Sequence, residues 1–188
     1  MQPASQSPWR HLPNAVSLLR IVLIAPIAWQ LLQRCWIPAL CLIAVAGASD
    51  GLDGFLARHY GWRSRLGGML DASADKLLLV TCFVLLAWLD ITPLWLAWVV
   101  CGRDLMIAAG ALLWRLLVGP IQPQPSMLSK VCTVMQILYL LDVLFLQAGW
   151  LSLPSPPLGW AVAVLCGASW LDYAVRWSVR ARLARRLR

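Results

Sequence analysis

The chain contains no glutamate, and it has few charged residues of any kind. All eight acidic residues are aspartates, and charged residues make up 13% of the 188 positions. Hydrophobic residues account for 61%, and the mean hydropathy is +0.72. A soluble domain of this length needs a polar surface that such a composition does not supply. The composition therefore excludes an ordinary soluble domain and predicts a membrane protein with several spans.

Phenylalanine is scarce as well, and the cysteines lack any motif spacing. There are three phenylalanines against twelve tryptophans. Many of the tryptophans lie near the ends of apolar segments, which is typical of the membrane interface. The six cysteines are scattered through apolar segments and form no CxxC pair. We interpret them as small core or lipid-facing residues, which argues against a zinc site or a disulfide framework.

Six apolar segments separated by turns predict an all-α protein with six transmembrane helices. Each segment is close to the roughly 20 residues that cross a bilayer core, where the backbone must satisfy its own hydrogen bonds. The predicted spans are 15–33, 37–57, 68–89, 94–117, 128–148 and 159–176. Asn14 and Ser17 are expected to cap the first helix. This division predicts a juxtamembrane segment (1–14), a transmembrane domain (15–176) and a basic tail (177–188), with no cleavable signal peptide.

Basic residues give the net charge of +8, and their distribution predicts the orientation of the chain. With the N-terminus in the cytoplasm, the opposite side carries only Arg34, so the positive-inside rule is satisfied. Both termini and the aspartate-rich segment are then cytoplasmic, as in a bacterial inner membrane or its equivalent. Membrane topology and anionic lipid explain this charge better than nucleic acid does.

Half of the acidic residues lie within positions 50–75, DGLDGFLARHYGWRSRLGGMLDASAD. Asp50 and Asp53 are spaced i, i+3, and Asp71 and Asp75 are spaced i, i+4, so each pair shares a helix face. Carboxylates are costly in a membrane and usually functional. Oxygen ligands suit Mg²⁺, Mn²⁺ or Ca²⁺, and two such ions can clamp a phosphoryl centre.

Residues between the two carboxylate pairs suit a phosphate ligand. Gly54 and Gly67 allow a ligand to approach the backbone, and Arg58 offers a bidentate fork to phosphate. The segment predicts phosphoryl or phosphatidyl transfer from a diphosphate donor at a membrane face. The structural alternative is that the aspartates form ion pairs with nearby arginines and serve only to fix the membrane topology. A cation transporter and an intramembrane prenyltransferase are the functional alternatives, although no internal repeat or second acidic motif is visible.

The segment resembles the signature of the CDP-alcohol phosphotransferases. The matching pattern is Asp50-x2-Asp53-Gly54-x2-Ala57-Arg58-x8-Gly67-x3-Asp71-x3-Asp75, and all eight specified positions agree. The stretch LPNAVSLLR resembles the start of phosphatidylglycerophosphate synthases and cardiolipin synthases. Two further stretches, CGRDLMIAAGALL and PSMLSKVCTVMQILYL, resemble segments of cardiolipin synthases. Within them Ser17 replaces a usual Thr, and Cys132 stands where Asn is common.

The resemblance implies a six-helix fold, usually a homodimer, that uses CDP-diacylglycerol and releases CMP. It implies that Asp50, Asp53, Asp71 and Asp75 bind two divalent cations, Mg²⁺ or Mn²⁺, and that Asp75 is also the general base. The implied contacts to the CDP-lipid are Asn14, Ser17, Gly54, Ala57, Arg58, Ser64 and Gly67.

Cations within the apolar spans bear on the acceptor. Cations in apolar spans are costly and usually functional. Binding the phosphate of an anionic acceptor would explain the positions of Arg20, Arg103 and Lys130. Phosphatidylglycerol, which would give cardiolipin, is the expected acceptor, and glycerol 3-phosphate is the alternative. For Arg103 a structural pair with Asp104 or another acid is also open.

Overall fold

The computed structural model describes residues 12–59, 65–117, 126–150 and 155–186, with side chains over 18–49, 73–116, 126–150 and 156–177. The described residues form six α-helices, and the predicted all-α class is confirmed. The helices are α1 (Leu12–Leu32), α2 (Trp36–His59), α3 (Arg65–Trp88), α4 (Leu94–Leu117), α5 (Met127–Gln147) and α6 (Ser155–Arg186).

The start of α1 differs from the prediction. The helix begins at Leu12, so Asn14 and Ser17 lie inside it, and the prediction that they cap it is wrong. Pro13 explains the earlier start, because its fixed φ suits the first turn of a helix and its missing N–H has no partner there anyway. At the other end of the chain, α6 continues through the basic tail to Arg186.

Tight turns end α1, α3 and α5 in the same way. Each turn contains one residue with positive φ: Arg34 (56°), Asp90 (58°) and Gly149 (78°). In each, the next residue's N–H reaches back to a carbonyl five positions earlier, as in a Schellman motif. These bonds, each 2.9 Å long, are Cys35 N–H to Gln30 O, Ile91 N–H to Leu86 O and Trp150 N–H to Phe145 O.

The chain divides into two compact units, residues 1–85 and 86–188. In the first unit α1 packs against α2, and the buried apolar side chains include Ile27, Leu31 and Phe83. In the second unit α6 packs against both α4 and α5. There Val100, Leu144 and Val162 are fully or almost fully buried.

Three helices in the described part are long and apolar enough to cross a membrane: residues 94–116, 127–147 and 156–177. Shorter apolar stretches cover 18–32 and 36–49. Large hydrophobic side chains point outward along the long helices, with Leu105, Leu116 and Leu171 at least 70% exposed. So much outward apolar surface suits lipid and not water. Six helices and a membrane protein are therefore supported, while six complete spans remain a prediction.

Candidate active site

The aspartate motif lies on two unbroken helices. Asp50, Asp53, Gly54, Ala57 and Arg58 all fall within α2, which continues to His59. Gly67, Asp71 and Asp75 fall within α3, which begins at Arg65. The i, i+3 and i, i+4 spacings therefore occur on helical backbone, which is the condition for each pair to share a face.

Most of the predicted site is described at the level of the backbone alone. Ser64 lies outside the described residues, and so do the side chains of Asn14, Ser17 and the motif positions from 50 to 71. The predicted site residues whose side chains are described are Arg20, Asp75, Arg103 and Lys130.

Asp75 is joined to α1 by an ion pair. The Nη1 atom of Arg20 donates to Oδ1 of Asp75 at 2.5 Å. The Arg20 side chain is 1% exposed, whereas that of Asp75 is 46% exposed. Such a charge-assisted bond is stronger than a neutral one. The structure therefore brings together a predicted acceptor contact and the predicted base, and it buries the arginine.

Arg103 lies in a buried polar cluster of the second unit. Its Nη1 donates to Oδ1 of Asp104 at 2.5 Å, and its side chain is 1% exposed. Its Nη2 donates to the hydroxyl and carbonyl oxygens of Ser129 on α5 and to the hydroxyl of Ser169 on α6, the last at 3.4 Å. The pair with Asp104, one of the two roles considered for Arg103, is thus present.

A thiol pair extends the polar cluster along α5. The sulfurs of Cys132 and Cys166 lie 3.3 Å apart, and the side-chain amide of Gln136 donates to both. All six cysteines are free thiols. Sequence reasoning did not single out the cluster formed by Ser129, Gln136 and Ser169. A signal was available, since polar residues at positions 129, 132 and 136 share one face of α5.

Lys130 is exposed near the start of α5, next to the buried Ser129. Asp142 is buried on the same helix. Among the residues whose side chains are described, no three His, Cys, Asp or Glu come together as metal ligands. Of the four predicted ligands, only Asp75 belongs to these residues.

Comparison with known proteins decides the family. A sequence model of the CDP-alcohol phosphatidyltransferases matches residues 10–175. The chain belongs to the CDP-alcohol phosphatidyltransferase family. It is therefore an enzyme of phospholipid biosynthesis, and the transporter and prenyltransferase alternatives are not needed to explain it. Members of this family use divalent cations.

Individual relatives fall into two named activities. A cardiolipin synthase (CMP-forming) of Streptomyces coelicolor is 33% identical over 81% of this chain and 74% of its own length. A CDP-diacylglycerol–glycerol-3-phosphate 3-phosphatidyltransferase of Aquifex aeolicus is 30% identical over 88% of this chain and 95% of its own. The human cardiolipin synthase is 32% identical over 71% of this chain, and the match spans 49% of the human protein.

Proposed function

We propose that this protein transfers the phosphatidyl group of CDP-diacylglycerol to phosphatidylglycerol, forming cardiolipin and CMP. The observation that carries the proposal is the complete aspartate motif on the continuous helices α2 and α3 within the family match. The Streptomyces, human and rat relatives named cardiolipin synthase support phosphatidylglycerol as the acceptor.

The reaction balances without a further reactant. The acceptor hydroxyl oxygen forms a bond to the phosphorus that carries the diacylglycerol. The bond from that phosphorus to the bridging diphosphate oxygen breaks, and CMP leaves with this oxygen. The hydroxyl proton passes to a carboxylate, for which Asp75 is the proposed acceptor because its side chain is nearly half exposed and can be reached by a substrate.

The donor set fits divalent cations. Aspartate oxygens are the ligands that Mg²⁺ and Mn²⁺ prefer, and Asp75 presents a partly accessible carboxylate. We infer that Asp50, Asp53, Asp71 and Asp75 hold two such ions, which would supply positive charge to the diphosphate. Gly54, Ala57, Arg58, Ser64 and Gly67, with Asn14 and Ser17 from α1, are the proposed contacts to the CDP-lipid.

The acceptor proposal now depends mainly on Lys130. Arg103 is buried with Asp104, Ser129 and Ser169, so it would have to leave these partners to bind a phosphate. Lys130 is exposed and can meet an anionic headgroup without rearrangement. Choline or ethanolamine would gain nothing from a cation here. We further propose that the protein lies in the membrane with both termini and the active site on the cytoplasmic side. We also propose that it forms a homodimer.

A product assay tests the acceptor. The detergent-solubilised protein is supplied with CDP-diacylglycerol, Mn²⁺ or Mg²⁺, and phosphatidylglycerol, glycerol 3-phosphate, serine or inositol phosphate in turn. Cardiolipin with CMP is the expected product. Phosphatidylglycerophosphate would instead establish the glycerol 3-phosphate alternative, which the nearly full-length match to the Aquifex relative favours. If no CMP is released with either phosphatidylglycerol or glycerol 3-phosphate, both the proposal and its alternative are refuted.

A further inference from the structure

The buried arginine of α1 has no part in the transfer chemistry described so far. Arg20 is 1% exposed, and its guanidinium reaches from α1 to the Asp75 carboxylate on α3, 55 residues away in sequence. We propose that Arg20 is a positioning residue, which fixes the orientation of the Asp75 carboxylate and does not bind the acceptor. This inference rests on the proposed function, because it takes Asp75 to be a metal ligand and a base.

Burial separates Arg20 from any acceptor. A phosphate held by a side chain must come within hydrogen-bond distance of it, and a guanidinium that is 1% exposed offers no accessible face. Asp75 has the opposite character, since 46% of its side chain is exposed. The pair therefore links the buried interior to an accessible carboxylate.

The bond restricts the orientation of the carboxylate. The two oxygens of an ionised aspartate together offer about four acceptor positions, and the contact of Arg20 is with Oδ1. Rotation of the carboxylate about its terminal torsion, which is otherwise soft, would break a charge-assisted bond. Hydrogen bonds of this kind to metal-binding carboxylates tune both affinity and activity.

Steady-state kinetics separate positioning from acceptor binding. We expect Arg20→Ala to lower kcat about 10–100-fold, while both KM values stay within about threefold of the parent. An acceptor contact would instead raise the acceptor KM and leave kcat largely intact at saturation. Arg20→Lys keeps the charge but not the planar fork, and should recover part of kcat.

Binding of Mn²⁺ alone gives a readout that needs no turnover. It is measured by electron paramagnetic resonance of free Mn²⁺ for the parent, Arg20→Ala, Asp75→Asn and the double variant. We expect Arg20→Ala to weaken Mn²⁺ binding by about tenfold. A guanidinium repels a nearby cation, so the loss of its charge alone would tighten Mn²⁺ binding. Weaker Mn²⁺ binding would therefore indicate that Arg20 acts by orienting the Asp75 carboxylate. The double variant should lose less Mn²⁺ affinity than the sum of the two single losses, because the Arg20 side chain contacts the Asp75 carboxylate.

Two controls keep the test decisive. Arg176→Ala removes an exposed ion pair with Asp172 on α6 (2.7 Å), and should leave Mn²⁺ binding unchanged. Should Arg20→Ala not fold, Arg20→Met fills the same space with an unbranched side chain and serves in its place. Folding is expected, because the half-exposed Asp75 can be solvated once the arginine is gone.

The outcomes also separate this inference from the proposed function. Unchanged or tighter Mn²⁺ binding in the Arg20 variants, or a raised acceptor KM with kcat retained, would overturn the positioning role. A parent protein that binds Mn²⁺ but releases no CMP with any acceptor would refute the proposed function. In that case the Mn²⁺ affinities of the Arg20, Asp75 and double variants would still test the positioning role of Arg20.

Discussion

Gly110 allows α4 and α6 to approach each other, and replacing it by alanine should weaken that contact. A Cβ atom at Gly110 would lie 2.5 Å from Cζ3 and 2.6 Å from Cη2 of Trp177. Carbon atoms in contact are normally about 3.5–4.0 Å apart. The indole of Trp177 would therefore have to move, although it also contacts Trp114 edge-on, with ring centroids 6.1 Å apart.

The magnitude follows from a comparison with Gly167 on α6. A Cβ atom there would meet nothing within 4 Å, so Gly167→Ala should gain up to about 1 kcal/mol of helix propensity. Gly110→Ala has the same propensity gain but an overpacking cost of about 1–3 kcal/mol. That cost includes the disturbed aromatic pair, worth about 0.5–1.5 kcal/mol. The difference between the two variants should therefore be about 1–3 kcal/mol in favour of Gly167→Ala.

Thermal unfolding in detergent measures this difference. Cys132 and Cys166 are fully buried in the same unit, whereas Cys35 and Cys41 are exposed. In a background whose cysteines other than Cys132 and Cys166 are replaced by alanine, a thiol-reactive fluorophore therefore reports the unfolding of this unit. At about 2–4 °C per kcal/mol for a chain of this size, Gly110→Ala should unfold several degrees below Gly167→Ala.

A double variant tests the cause. Trp177→Leu removes the ring, so Gly110→Ala should cost little in that background, giving a coupling of about 0.5–3 kcal/mol. Equal unfolding temperatures for the Gly110 and Gly167 variants, or additive effects of the Gly110 and Trp177 changes, would refute the packing argument.

Four other predictions can be tested with the same preparations. Asp75→Asn should abolish CMP release while leaving Mn²⁺ binding partly intact, and activity that survives this change would exclude Asp75 as the base. Lys130→Ala should raise the acceptor KM far more than the donor KM; equal effects on both would contradict an acceptor contact. Arg103→Ala should lower stability by about 3–5 kcal/mol, because it removes the cation from the buried Asp104, and Arg103→Ala/Asp104→Ala should recover part of that loss in thermal unfolding. Asp90→Ala should lower stability by about 1 kcal/mol, since Asp90 has φ of 58°, a conformation that Asp adopts more readily than Ala, whereas Leu89→Ala should not have this cost.

Helix positions could be predicted well because the sequence marks both their interiors and their ends. The predicted span 94–117 coincides with α4, and 128–148 differs from α5 by one residue at each end. Proline, glycine and aspartate between long apolar runs leave little freedom in where a helix stops. The first helix was predicted less well, because Asn14 resembles a cap while Pro13 belongs to the first turn.

The two buried arginines show where sequence reasoning reaches its limit. Both Arg20 and Arg103 are isolated cations in apolar segments, and one prediction, an acceptor pocket, was made for both. A partner for Arg103 could be named because Asp104 is its neighbour in sequence. The partner of Arg20 lies 55 residues away, and helical spacing carries no information about which helix faces which. Only the three-dimensional structure, in which the Arg20 side chain on α1 reaches Asp75 on α3, identifies it. Because that ion pair joins Arg20 to a proposed catalytic carboxylate, the same sequence feature leads to a different role for each arginine.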